Sequence, residues 1–348
     1  MRRWVEVFVA AAALAAVGLP AAAQPGPPPG PPPEVLAAYA STADGVRLPD
    51  GRLLNFVCMG EGSPTVILTP GMGNVSFGAW AAVQPAIAKA TRVCAWDRPG
   101  FGFSDGVSSE QTVATTTADL EAALASGKIA GPYVMVGHSL GAFESLLFAD
   151  RHPDQVAGMV LLDPSIPDQM ERFARIGMPR SNQGANPMAL AVRQCAADIR
   201  SGVARFGGAD PNGCFAYPPV WPRALTQALG EKVMNPLQYE SMASFLASDA
   251  QNWRIVVNPA RSYGDMPLIV LTALLEPPPP PNAPAEMVAA LAARAVEWNK
   301  AHDELAALST RGINARVPGG THGLQDSRPQ VVIDAVEAVV AEARSAMR

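Results

Sequence analysis

The pentapeptide Gly137-His138-Ser139-Leu140-Gly141 decides how this chain is read. The apolar run before it, Pro132-Tyr133-Val134-Met135-Val136, has the character of a buried strand. The stretch after it, Ala142-Phe143-Glu144-Ser145-Leu146-Leu147-Phe148-Ala149, has the character of a helix. A serine flanked by glycines two residues away on each side, at a strand-to-helix corner, is the signature of a nucleophile elbow. The spacing has a steric cause. The corner drives the serine into a strained backbone conformation, and strand and helix approach closely only where no Cβ intervenes, as at Gly137 and Gly141. The Ser139 hydroxyl then stands exposed, with the first helical N–H groups aimed at whatever it attacks.

On both sides of the elbow, strand-like and helix-like runs alternate from about residue 46 onward, which points to an α/β architecture with a mainly parallel sheet. Residues 53–58 alternate as a strand. Residues 65–69 form a short buried strand broken by Pro70-Gly71-Met72-Gly73, and 80–90 read as a helix. Residues 92–96 are a further strand, ended by Asp97-Arg98-Pro99-Gly100, and 114–126 are helical. After the elbow, Gly158-Met159-Val160-Leu161-Leu162 ends at Asp163-Pro164. Alternation fails over 165–262, which reads as an inserted lid, and resumes at Pro267-Leu268-Ile269-Val270-Leu271-Thr272. A proline run at 277–281, a helical stretch at 285–308 and a last strand, Ile313 with the four residues after it, follow. Then come Gly319-Gly320-Thr321-His322-Gly323 and a closing helix at 329–346, with Ser327 as its expected cap. The expected domains are a signal peptide at 1–23, a proline-rich linker at 24–40, one α/β core at 41–164 and 263–348, and the lid insertion at 165–262.

Bulk properties narrow the function. The 348 residues are 49% hydrophobic and 16% charged, ample for a large core. A net charge of −5 with no basic cluster argues against a nucleic-acid partner. Arg2 and Arg3, an apolar stretch at 7–19 and the small residues Ala21-Ala22-Ala23 read as a cleavable export signal, with Glu6 an awkward member. The stretch is too short to span a bilayer comfortably, so cleavage at Gln24 and a periplasmic or secreted location are expected, with no membrane span kept. The proline-rich run from Gln24 should be an extended spacer. Export makes the four cysteines, Cys58, Cys94, Cys195 and Cys214, candidates for disulfides, with buried free thiols as the alternative. No Cys-x-x-Cys spacing exists, which speaks against zinc.

From about residue 55 to 340 the chain resembles the α/β-hydrolase fold family. The motifs that carry the likeness are Thr69-Pro70-Gly71-Met72-Gly73, Asp97-Arg98-Pro99-Gly100-Phe101-Gly102-Phe103-Ser104, the elbow and the His322 loop. The resemblance implies an eight-stranded, mostly parallel sheet with helices on both faces and a helical lid inserted after the sixth strand. It also places the strand of Cys58 beside that of Cys94, hence a Cys58–Cys94 pair. Cys195 and Cys214 both fall in the lid and close a short loop, the easiest bridge to form.

A serine hydroxyl is a poor nucleophile at neutral pH. It needs a base within hydrogen-bond reach, and the base needs a carboxylate to fix its tautomer. Of four histidines, His138 sits inside the elbow with its ring expected to point away from the hydroxyl. His152 ends a helix, and His302 lies in a helical stretch, expected half-exposed. His322 alone occupies a glycine-rich loop after the last strand, where the resembling family carries its base. Two carboxylates suit the chain order serine, acid, histidine: Asp163 after the sixth strand and Glu276 after the seventh. Relatives with a similar Leu271-Thr272-Ala273 strand often keep an aspartate like Asp163, which places it ahead. The resemblance makes the Leu140 and Met72 N–H groups the oxyanion donors. Asp97, Arg98, Gly100, Gly102 and Ser104 read as structural, a turn bracing the oxyanion loop. Phe173, Met178, Trp221, Phe245 and Trp253 could line a substrate pocket or simply form lid core.

The expectation is therefore an exported serine hydrolase that cleaves a small-molecule carboxylic ester through an acyl-enzyme, without metal or cofactor. Amide, lactone or carbon–carbon bond hydrolysis suits the same residues, and a binding protein on the same fold is the non-catalytic alternative. Dehalogenation needs a carboxylate nucleophile where Ser139 stands.

Overall fold

The computed structural model describes residues 31–178, 186–274 and 279–347. The expected signal peptide, the first residues of the linker and Glu276 lie outside the described residues. The strands are β1 (Val46–Arg47), β2 (Leu53–Leu54), β3 (Phe56–Met59), β4 (Thr65–Thr69), β5 (Val93–Trp96), β6 (Tyr133–His138), β7 (Val156–Leu162), β8 (Leu268–Ala273) and β9 (Ile313–Val317).

Seven strands form the main sheet, in the order β3-β5-β4-β6-β7-β8-β9, while β1 and β2 pair in a separate two-stranded ribbon. Only β3 runs antiparallel, against β5. The expectation of eight strands is corrected here: among the described residues the main sheet has seven. Asn55 is the reason that residues 53–58 are two strands. Its N–H donates to Ser104 Oγ and its carbonyl accepts from Asp97 N–H, so the ladder breaks and β2 turns to β1 while β3 joins β5.

The central strands are buried on both faces, which is why they read as unbroken apolar runs. Their side chains divide with period two. Ile67, Cys94, Met135, Met159, Leu161 and Val270 enter one core, covered by the helices Val113–Ala125, Gly141–Arg151 and Ala285–Ala306. Val66, Leu68, Val134, Val136, Val160 and Leu271 enter the other, covered by Ser76–Trp80 and Pro329–Ala346. At roughly 1.5–3 kcal/mol for each fully buried large aliphatic side chain, these two layers dominate the stability of the fold.

Between β7 and β8 lie the helices Gln169–Arg175, Pro187–Ser201, Arg223–Val233, Pro236–Ala247 and Asp249–Ile255. A small core of Cys195, Ile199, Ala204, Cys214, Val233 and Tyr239 sits within this insertion. Disulfides join Cys195 to Cys214 inside it and Cys58 to Cys94 across the β3–β5 pair. No helix among the described residues is long and apolar enough to cross a membrane.

Three local expectations are also corrected. The expected linker does not run to residue 40: Pro33–Ala38 is a helix, Leu36 and Tyr39 are buried, and the Tyr39 hydroxyl donates to Gln84 Oε1. Residues 80–90 are not one helix, because Pro85 fits only the first turn of a new one, Gln84–Ile87, set apart from Ser76–Trp80. Ser327 does not cap the last helix; Arg328 holds that position, and Ser327 serves the His322 loop.

Candidate active site

Ser139 occupies the corner between β6 and the Gly141–Arg151 helix, with φ at +52°. That left-handed conformation costs of order 1–3 kcal/mol for a residue with a side chain and persists only where the surroundings impose it. They do. Ser139 N–H donates to the Leu162 carbonyl at 3.0 Å, and the Ser139 carbonyl accepts from Ser165 N–H at 2.9 Å. A methyl on Gly137 would meet the Gly141 carbonyl oxygen at 2.6 Å, and one on Gly141 would meet the Thr69 carbonyl oxygen at 2.4 Å. Both positions exclude any side chain.

Asp163 follows β7, is buried, and also has a positive φ, +38°. Its Oδ2 accepts from His322 Nδ1–H at 2.6 Å. Its Oδ1 accepts from Ala273 N–H at 3.1 Å and from the Trp298 indole N–H at 3.0 Å. Burial pushes this carboxyl up, but the hydrogen bonds from His322 and Trp298 outweigh it and hold Asp163 below the ordinary carboxylate value. Ala273 closes the strand after which Glu276 was the other candidate acid, so that position supplies Asp163 with an N–H.

His322 Nε2 lies 2.9 Å from Ser139 Oγ, so one imidazole joins the hydroxyl to the carboxylate. The His322 side chain is 55% exposed while that of Asp163 is 7% exposed. The imidazole is thus open to solvent and the carboxylate is not. The His322 loop is held from two sides. Ser327 Oγ accepts from Thr321 N–H and donates to the Gly323 carbonyl, both at 3.0 Å, bracketing His322. From beneath, His138 Nε2–H donates to the His322 carbonyl at 2.8 Å. Burial, and then the nearness of His322, pulls the His138 pKa down to about 4, so its ring is neutral at physiological pH. As expected from its place in the elbow, it serves the loop backbone rather than the Ser139 hydroxyl.

The loop after β4 runs past the same corner: a methyl on Gly71 would sit 2.9 Å from His138 Nδ1 and 3.3 Å from Ser139 Cβ. Among the described residues, neither Met72 N–H nor Leu140 N–H donates to a protein acceptor. The loop is braced from below by Arg98, which donates to the Pro70 carbonyl at 2.6 Å and the Gly71 carbonyl at 3.1 Å. Arg98 is fully buried and paired with the equally buried Glu144, which also accepts from Thr116 Oγ1 at 2.6 Å. Asp97 accepts from Ser76 N–H at 2.7 Å and Asn55 Nδ2–H at 2.9 Å, anchoring the helix that follows the loop.

His302, expected half-exposed, is fully buried. Its neutral ring, favoured by burial, carries one proton, which on Nε2 reaches the Pro164 carbonyl at 2.9 Å. The Thr272 hydroxyl then has one proton for two neighbours, His302 Nδ1 at 2.8 Å and Asn314 Oδ1 at 2.7 Å. Trp298, Ser327 and the two buried histidines were not singled out by sequence reasoning as partners of the site, and only the helical offset of four between Trp298 and His302 hinted at a shared face. Three of the four aromatic side chains considered for a pocket make packing contacts within the protein. Trp221 stacks on Tyr217 and meets Phe77 edge-on, Phe245 lies between Phe101 and the Arg98 guanidinium, and Trp253 is in the core below the insertion. No cluster of three metal-ligating side chains occurs among the described residues.

Residues 64–253, more than half of the chain, match the family model described as alpha/beta hydrolase fold. An uncharacterised protein of Schizosaccharomyces pombe is 44% identical over 81 residues, 23% of this chain. The matched part is only 15% of that protein's length, and no more than 43% of two uncharacterised Bacillus subtilis relatives. Among solved structures, a thermophilic esterase from Thermogutta terrifontis superposes with a TM-score of 0.54 at 19% identity, covering 86% of this chain and 98% of its own. The epoxide hydrolase CorEH does so with 0.56 at 18%, covering 85% and 97%. The sheet, the elbow and the family match agree: this chain belongs to the alpha/beta hydrolase fold family.

Proposed function

We propose that this protein is an exported serine hydrolase that cleaves a carboxylic ester of a small or medium organic acid. The observation that carries the reading is the unbroken relay from Ser139 Oγ to His322 Nε2 at 2.9 Å and from His322 Nδ1 to Asp163 Oδ2 at 2.6 Å. Ser139 Oγ attacks the ester carbonyl while His322 takes the hydroxyl proton. Asp163 stabilises the imidazolium and fixes the tautomer that leaves Nε2 free as acceptor. Negative charge on the carbonyl oxygen is received by the Leu140 and Met72 N–H groups, each worth about 10²–10³ in turnover in comparable sites. His322 returns its proton to the departing alcohol oxygen, leaving an acyl group on Ser139. Water then attacks that group with His322 again as base, and the acid is released.

Asp163 is preferred to Glu276 as the acid because its carboxylate contacts His322. The insertion 165–262 is read as a lid, since Met188 from its helix reaches the oxyanion loop, with Sδ 3.1 Å from where a methyl on Gly73 would lie. The two disulfides support export. Amide, lactone or carbon–carbon bond hydrolysis remains a reading served by the same residues. The test pairs a fluorophosphonate probe with p-nitrophenyl esters of graded chain length. Stoichiometric labelling of the native chain, lost in Ser139→Ala together with turnover, is the expected result. A folded native chain that takes no label is a binding protein.

A further inference from the structure

Asp163 is held by more than its base. Oδ1 takes two donors, the Ala273 N–H at 3.1 Å and the Trp298 indole N–H at 3.0 Å, while Oδ2 is left to His322. A carboxylate on a two-bond side chain can rotate, and a rotated one would no longer meet Nδ1. Ala273 N–H is fixed by its strand. The indole comes from the Ala285–Ala306 helix, and its ring packs against the Phe173 ring at 6.2 Å and the buried His302 ring at 4.9 Å. One turn further along the same helix, His302 reaches the carbonyl of Pro164, the residue after the acid. One helix face therefore grips both the carboxylate and the backbone beyond it.

We propose that Trp298 is a positioning residue: its indole N–H locks the Asp163 carboxylate in the rotamer that presents Oδ2 to His322. The proposal rests on the serine-hydrolase reading for its kinetic consequence and on geometry alone for the lock. The titratable groups facing the pair are His138 from β6 and His302 from the helix, both buried and both held neutral by burial. Neither competes with Trp298 for Oδ1.

Trp298→Phe keeps a ring against Phe173 and His302 and removes only the donor. One hydrogen bond to a charged group corresponds to a fall in kcat of about tenfold or somewhat more, with KM within about twofold. With one donor fewer on Oδ1 the carboxylate is free to turn, so the loss should fall on kcat and not on substrate binding. A folded variant with unchanged kcat overturns the proposal, and so does a rise in KM alone, which would make Trp298 a wall of the substrate site. A readout independent of turnover is the far-downfield proton resonance of His322 Nδ1–H, expected to shift and broaden in Trp298→Phe; an identical resonance refutes the lock even if no ester is cleaved. Should the variant not fold, the indole N–H resonance of Trp298 in the native chain, assigned by elimination against the other tryptophans, must move as Asp163 is protonated. A resonance flat through that titration also overturns the proposal, whereas absent labelling of the native chain sinks the hydrolase reading and leaves this one standing.

Discussion

The C-terminal edge of the parallel strands and the helical insertion between β7 and β8 hold their residues in opposite ways. At the edge, Ser139 and Asp163 both sit in left-handed backbone, and each is tied to its neighbours through both main chain and side chain. The insertion has a small core of its own, a disulfide across one loop, and large apolar side chains such as Met188, Leu190 and Val220 open to solvent. Strain is tolerated where many contacts over-determine a conformation; in the insertion, among the described residues, left-handed backbone outside glycine occurs at Asp168 alone, the residue before the Gln169–Arg175 helix. Chemistry that needs sub-ångström placement belongs to the first region, and variation in what is bound belongs to the second.

The contrast breaks most sharply if an edge residue proves dispensable. Asp163→Asn keeps the shape, but its amide can turn an N–H toward His322 and reverse the tautomer. We expect kcat to fall by about 10³–10⁴ with the fold retained, measured by ester turnover beside a thermal melt. Met188→Ala in the insertion should change KM by no more than a few fold. Comparable losses from both would erase the distinction.

Next in size is the support beneath the loop of Pro70 and Gly71. Glu144→Gln removes one charge of a fully buried pair and leaves Arg98 uncompensated against Trp96 and Phe245. Breaking such a pair typically costs about 3–5 kcal/mol. A denaturant titration should show that loss, and turnover should drop as well because Arg98 holds the Pro70 and Gly71 carbonyls. A stable variant with lost turnover would assign Glu144 to the chemistry, not to the brace.

The buried histidine beneath the His322 loop makes a pH prediction. His138 has a folded pKa of about 4 against an ordinary 6.5, so between these values the unfolded chain binds more protons than the folded one. Stability contributed by a neutral His138 is fully present above pH 6.5 and is lost as pH falls toward 4, by about 3 kcal/mol in all. Asp163, held below its ordinary 3.8, adds a loss only at still lower pH. In His138→Gln the decline between these two histidine values should flatten in urea midpoints measured from pH 7 downward. An unchanged slope would show that the ring is not the group responsible.

What could be read without the structure follows the same division. The elbow, the Gly71 loop and the His322 loop announce themselves through local backbone demands: glycines where no Cβ fits, and a histidine between glycines after a strand. The partners around them do not. Trp298 and His302 reach Asp163 and Pro164 from more than 130 positions away, through a register between the Ala285–Ala306 helix and β8 that hydrophobic period alone leaves open. Residues 53–58 alternate cleanly, yet they divide at Asn55 because its backbone pairs with Ser104 and Asp97. Aromatics of the insertion read equally as pocket or core residues because sequence does not show which way an apolar side chain turns; Phe245 turns toward Arg98.

The smallest expected effect tests the insertion on its own terms. Cys195 and Cys214 are 19 positions apart, and the bridge joins the Pro187–Ser201 helix to the turn that follows it. Closing so short a loop contributes about 2–3 kcal/mol, mainly by limiting the unfolded chain. The Tyr239 hydroxyl donates to the Cys214 carbonyl and Asp210 accepts from Cys214 N–H at 2.7 Å, so the turn keeps partners after the bridge is gone. In Cys195→Ser with Cys214→Ser, hydrogen exchange should therefore quicken in the insertion while the parallel strands stay protected, and kcat toward a small ester should hold within about threefold. A fall as large as that of Asp163→Asn would mean that the insertion helps to place the reacting groups, and the two regions would then be one machine.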